Sequence, residues 1–216
     1  MHENVVLVAA GNLATDRAIT NNLSTAMQSR VVHIEMKIDH RSWLEDVAIK
    51  QNYDSRIISF LSQYPSKLMD FVPEHTEKTF CCPRTWEFVN SLIKGKGRLD
   101  DELAILLAGT ITSGTAVEFV KYSQIFQRLV RIDDILADPD KVDVPSDISV
   151  MWATVSMMQE HITAKNMDKL AKYADRFGMD FRVLFYRSAI IRNPELRSNP
   201  AFLGAMATLA RYLHDS

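Results

Sequence analysis

Asn4-Val5-Val6-Leu7-Val8-Ala9-Ala10-Gly11-Asn12 is the stretch whose reading decides the fold. Its apolar, β-branched run has no polar face, the pattern of a central parallel strand buried on both sides. Such a strand delivers its last polar side chain, Asn12, to the carboxyl edge of a sheet. Asn21 through Arg30 then suits a short helix capped by asparagine. Val31-Val32-His33-Ile34-Glu35-Met36 reads as a second strand with Arg30 at its head. No third strand candidate of this quality follows. Two strands do not make an independently stable parallel sheet. Either another polypeptide completes the sheet, or the chain is the end of a larger α/β domain, which is the simpler expectation.

After Asp39 the pattern turns helical for the rest of the chain. Trp43, Val47 and Ala48 share one apolar face; Ile57, Ile58 and Leu61 share another. Pro83 stands where proline is favoured, in the first turn of a helix running through Trp86, Val89, Leu92 and Ile93 and ended by Gly95-Lys96-Gly97. Residues 99–137 read as two helices split near Thr112-Ser113-Gly114. Asp138-Pro139-Asp140 and Val144-Pro145-Ser146-Asp147 carry loop and N-cap chemistry. Further helices are predicted over about 148–163, 166–177, 180–191 and 200–213, separated by Gly178 and by Asn193-Pro194 and Asn199-Pro200. The fold class expected is mainly α, with a short parallel two-strand remnant of an α/β core.

The 216 residues are 47% hydrophobic and 24% charged, enough for a substantial core. A formal net charge of -2 argues against a nucleic-acid binder driven by bulk charge. Charge is unevenly spread. Residues 99–164 carry 11 acidic and 4 basic side chains, net -7, while 165–216 carry 9 basic and 5 acidic, net +4. Such asymmetry fits either two solvated faces or paired neighbours. The two cysteines, Cys81 and Cys82, are adjacent and offer no disulfide framework. No signal peptide opens at Met1-His2-Glu3-Asn4, and no segment approaches the length of a membrane span, so a cytoplasmic protein without a membrane partner is expected.

Three residues carry the candidate chemistry. Asn12 offers a neutral amide at a strand tip, able to orient a water toward a phosphate. Arg30 and Arg84 are separated guanidinium groups, and Arg84 follows Pro83 in a helix first turn, where a cation opposes the helix dipole. An arginine so placed points to an anionic partner, and the set suits the γ-phosphate of a nucleotide.

With these residues in this order, the chain resembles the second half of the core of AAA+ ATPases, within them the MoxR-like branch. Val5 through Asn12 looks like the sensor 1 strand, with Asn12 as the sensor asparagine. Leu23-Ser24-Thr25-Ala26-Met27-Gln28-Ser29-Arg30 looks like the helix ending in the arginine finger, and Val31 through Met36 like the last core strand. The residue after the finger, often aromatic in the family, is Val31 here. Pro83-Arg84 matches the sensor 2 arginine of a helical lid. The resemblance implies three parts: 1–38 as the end of the AAA+ core, 39–97 as the helical lid, and 98–216 as an additional helical domain. It also implies Asn12 and Arg30 as catalytic residues, Arg84 as nucleotide-binding, neighbouring subunits of a homo-oligomeric ring, and a protein substrate for remodelling. ATP and magnesium would serve the complete protein.

Neither a G-x-x-x-x-G-K-[ST] loop nor an apolar strand ending in Asp-Glu occurs in the chain. By itself it is therefore expected neither to hold a nucleotide cofactor nor to hydrolyse ATP. The alternative of a different class is a non-catalytic helical adaptor. Cys81, Cys82 and His75 as metal ligands fare worse, because adjacent cysteines fit one zinc poorly. A single-stranded nucleic-acid handler lacks an array of stacking aromatics.

Overall fold

The computed structural model describes residues 4–12 and 23–213. Among them every regular element is helical. Met1 to Glu3 and the Asn21-Asn22 cap lie outside the described residues. The short helix α1 spans Thr25–Gln28, and its N-cap is Ser24, whose Oγ accepts from Met27 N at 3.3 Å. Serine thus fills the position assigned to asparagine.

The two expected strands are not formed among the described residues. Residues 5–12 and 31–38 carry no regular secondary structure and are exposed throughout. The physical reason lies in the pairing requirement noted above: a lone pair of strands cannot satisfy both its edges and both its faces. Every other large apolar run of the chain is committed to helices, so nothing within the described residues supplies a neighbour.

From Asp39 onward the helices follow their sequence signals closely. α2 (His40–Trp43) starts at Asp39, whose carboxylate accepts from Ser42 N, and continues as a π-helical stretch, Leu44–Ile49. Asn52 closes this helix with φ 53°; Tyr53 N reaches back to Ala48 O and Asn52 N to Ile49 O. That paired pattern ends a helix through one left-handed residue, a role asparagine fills at low cost. α3 (Ser55–Gln63) follows, then α4 (Pro83–Ile93), α5 (Asp101–Ala108) and α6 (Ser113–Ser123). Asp100 and Thr112 cap α5 and α6. Residues 99–137 thus give three helices, since α7 (Ile132–Ala137) forms beyond a 3-10 turn at Gln124–Arg128. α8 (Ile148–Glu160), capped by Asp147, α9 (Met167–Ala174), α10 (Met179–Arg192) and α11 (Pro200–Leu213) complete the chain.

These helices bury two apolar clusters. The first gathers Trp43, Phe60, Trp86, Leu107 and Phe119 among others, so it draws on residues on both sides of position 97. Phe60 sits at its centre, with ring centroids 5.7 Å from Trp86, 5.3 Å from Phe119 and 5.4 Å from Tyr122. The second gathers Ile135, Met158, Tyr173, Phe185, Tyr186 and Leu209. Leu184 on α10 packs against both. α3 and α8 run antiparallel: Glu160 at the end of α8 accepts from Ser55 N, and Gln63 at the end of α3 donates to Ser149 near the start of α8.

Ionic contacts join the pieces. Glu45 pairs with Arg41 one turn away and with the buried Arg187 of α10. Basic side chains on α9 and just past its end are fastened onto the end of α7 and the acidic loop between α7 and α8. Lys169 donates to Leu136 O, Lys172 pairs with Asp140, and Arg176 donates to the carbonyls of Pro139 and Val142. Part of the charge asymmetry of the sequence is therefore answered within the chain.

The most buried ion pair is Arg56 with Asp54, at 2.6 Å with side chains 8% and 11% exposed. Arg56→Ala leaves Asp54 uncompensated and is expected to destabilise the fold by about 3–5 kcal/mol, with Arg56→Lys recovering only part because it lacks the planar fork. A shift of the urea midpoint at unchanged slope would show it; midpoints matching the wild type in both variants would refute it.

His40 Nε2 donates to Leu61 O at 2.8 Å, and burial holds this imidazole below its ordinary 6.5. The folded state binds that proton more weakly than the unfolded chain does. Its contribution is whole above about pH 6.5 and is lost as pH falls further. His40→Asn should flatten the dependence of the urea midpoint between about pH 5 and 7; an undiminished slope would contradict this.

Candidate functional site

The three residues singled out in the sequence lie on three different elements. Asn12 ends the extended segment 5–12 and is exposed. Arg30 follows α1, and its guanidinium donates to Ala26 O within the same short turn. Arg84 occupies the first turn of α4 and is exposed. Among the described residues no hydrogen bond or ion pair joins one of the three to another.

Arg84 has the best-built surroundings. α4 begins at Cys82, extended at φ -157° and ψ 167°, and Pro83 takes the first helical position. Thr85 accepts from Cys82 N at 2.8 Å, satisfying a backbone donor at the helix start. One residue on, the fully buried Trp86 donates its indole N–H to Lys67 O at 2.8 Å. Before the helix, Asp70 accepts from Cys81 N at 2.6 Å, and Asp70 N donates to Cys81 O at 3.2 Å. The start of α4 is thus held from both sides while Arg84 projects from it into solvent, with no salt bridge among the described residues. An exposed guanidinium at a helix start is a competent receptor for an oxyanion.

The cysteines serve the structure. Cys81 is buried and its thiol is pushed up to about 11, chiefly by burial, which disfavours the thiolate that metal binding or nucleophilic attack requires. Cys82 is half-buried at the N-cap of α4. His75 stacks with Phe71 and Phe80, at ring distances of 5.5 Å each. Among the described residues no group of three His, Cys, Asp or Glu side chains stands close enough to hold a metal, and no helix is long and apolar enough to cross a membrane.

An open cleft of about 430 Å³ lies between α9, α10 and α11, bordered by Asp168, Lys172, Asp175 and Arg182 and by the small residues Ala201, Gly204 and Thr208. Three of its charged residues are answered nearby: Asp175 accepts from Arg182 at 3.0 Å and from the Tyr186 hydroxyl at 3.1 Å, and Lys172 pairs with Asp140. Burial and the adjoining Asp175 carboxylate push the Tyr186 phenol well above its usual range, so it stays a neutral donor. Nothing in the spacing of these residues marks them as neighbours, because α9 and α11 meet only through tertiary packing.

A scan against protein-family models finds no match, and searches of the curated proteins and of the solved structures find no significantly similar protein.

Because Cys81 is buried with a raised pKa while Cys82 is only half-buried, iodoacetamide under native conditions should label Cys82 well ahead of Cys81. Peptide mass spectrometry reads this out; equal labelling rates in the native state would show that the start of α4 is not held as described.

Proposed function

We propose that this chain is the carboxyl-terminal part of a MoxR-like AAA+ ATPase, contributing Asn12, Arg30 and Arg84 to a nucleotide site whose phosphate-binding loop lies on other residues. The observation that carries the reading is Arg84: an exposed guanidinium held in the first turn of a firmly anchored helix, where no carboxylate among the described residues answers its charge. The order of the motifs supports it, with an asparagine closing an apolar run, an arginine closing a short helix, and Pro-Arg opening a later one.

In this reading Arg84 contacts the γ-phosphate of its own subunit's nucleotide, while Arg30 reaches the nucleotide of the next subunit in a head-to-tail ring. Asn12 orients the attacking water. ATP and magnesium are bound by the complete protein, and turnover drives remodelling of a protein substrate. The chain alone has no cradle for the β- and γ-phosphates and is inactive.

A second reading, a non-catalytic helical adaptor, is favoured by one observation: the helices from His40 onward bury two clusters without any contribution from the described residues 5–12 and 23–38. Thermal-shift measurements on the complete gene product with a non-hydrolysable ATP analogue separate the two. Stabilisation that disappears in Arg84→Ala, together with loss of ATP turnover in Arg30→Ala at an unchanged melting temperature, is the expected result. An absent response to the analogue in the wild type would overturn the nucleotide reading and leave the adaptor.

A further inference from the structure

Residues 32–38 alternate strictly, with Val32, Ile34, Met36 and Ile38 apolar and His33, Glu35 and Lys37 polar between them. In the structure this segment is laid open: Val32 is 87%, Ile34 82% and Met36 91% exposed. No backbone hydrogen bond ties 31–38 to another segment among the described residues. An alternating, unpaired, apolar segment is a template for strand pairing. Its sequence also states which partner it fits.

We propose that residues 33–39 pair antiparallel with the same residues of a second copy of this chain, about a twofold axis at Met36. In that register residue i lies opposite the residue as far beyond Met36 as i lies before it. Glu35 then faces Lys37 of the other copy, and Lys37 faces its Glu35. Ile34 and Ile38 face each other, and His33 lies across from Asp39, whose backbone is extended at φ -98° and ψ 113°. Each polar position meets a charge of opposite sign or a histidine, and each apolar position meets an apolar one.

Competing arrangements fail on the same residues. Parallel in-register pairing sets Glu35 against Glu35 and Lys37 against Lys37, and like charges directly opposite are destabilising. Sliding the antiparallel register by two residues brings one of those same like-charge pairs to the axis. Sliding it by one sets Ile34 against Lys37 or Ile38 against Glu35, mixing the two faces. A lysine on an edge strand ordinarily discourages pairing; Glu35 answers it only from a second copy in this register. The interface is isologous, so it closes at two copies. The pairing does not rest on the nucleotide reading. A strand has two edges, and in this arrangement residues 5–10 of each copy lie along the outer one, so that the sheet has four strands rather than a lone pair.

The test is the oligomeric state of the chain and its response to charge exchange. Sedimentation equilibrium should show a monomer–dimer equilibrium. Glu35→Lys or Lys37→Glu alone places like charges opposite twice per dimer and should weaken association roughly ten- to hundredfold. The double exchange Glu35→Lys/Lys37→Glu restores every pair and should return the dissociation constant to near the wild-type value. In a Cys82→Ser background, Met36→Cys should form a disulfide-linked dimer on mild oxidation, because opposed residues have Cα atoms roughly 4.5–5.5 Å apart. Ile34→Cys should not, its twin being about four residues away along the ladder. Apart from the half-buried Cys82, all substituted positions are exposed, and circular dichroism checks that each variant is folded.

A chain monomeric at every accessible concentration would overturn the proposal, as would a double exchange no better than the singles. So would cross-linking of Ile34→Cys as fast as Met36→Cys. A monomer whose 31–38 amides are protected from hydrogen exchange would show that other residues or a different protein cover the segment, and would overturn it too.

Discussion

Arg56 joins two helix ends, the start of α3 and the end of α4. Its Nε and Nη2 donate to both oxygens of Asp54 at 2.7 and 2.6 Å, and the same guanidinium reaches the carbonyls of Ile93, Lys96 and Gly97 just past the end of α4. Asp54 in turn accepts from Arg56 N and so caps α3, while its own N–H donates to the Asn90 side chain of α4. One cation therefore satisfies the carboxyl end of one helix, and its counter-ion satisfies the amino end of the next. The charge assignment matches the dipole at both places. Lysine could not reproduce this, because the contacts need several donors held in one plane.

The rest of the amino-terminal cluster depends on that join. With α3 and α4 locked at one end, Phe60 and Trp86 come together and Phe119 of α6 closes over them. Burial of such aromatics supplies the driving force, roughly 1.5–3 kcal/mol for each large side chain. Polar groups then select the arrangement. The Ser59 hydroxyl meets the Tyr122 phenol inside the cluster, and burial pushes that phenol far above its usual range, keeping it neutral. The carboxyl-terminal cluster is built differently. There α9 is held to the α7–α8 loop by three basic side chains on or just past it, and α10 spans between clusters through Leu184 and the Arg187–Glu45 pair.

The anchoring of α4 also shapes what the surface can do. Arg84 is presented by a helix whose first turn is fixed by Thr85, Trp86 and the Asp70–Cys81 contacts, so an anion arriving there meets a prearranged group. Residues 5–12 and 31–38 present the opposite situation. Their backbone and apolar side chains are exposed, and ordering them falls to whatever pairs with them.

Helices were legible from sequence because their signals are local: capping aspartates at positions 100 and 147, Pro83 and Pro200 at helix starts, and apolar residues spaced three and four apart. Arg84's position in a first turn was legible for the same reason. Residues 5–10 and 31–36 have strand character in sequence yet form no strand among the described residues, since a strand exists only through a neighbour and sequence periodicity names none. Asp54, Arg56 and Glu160 carry no local sequence signal of their roles. Only the tertiary structure could assign them, because their hydrogen bonds run to helix ends tens of residues away, and nothing local specifies which end will arrive there.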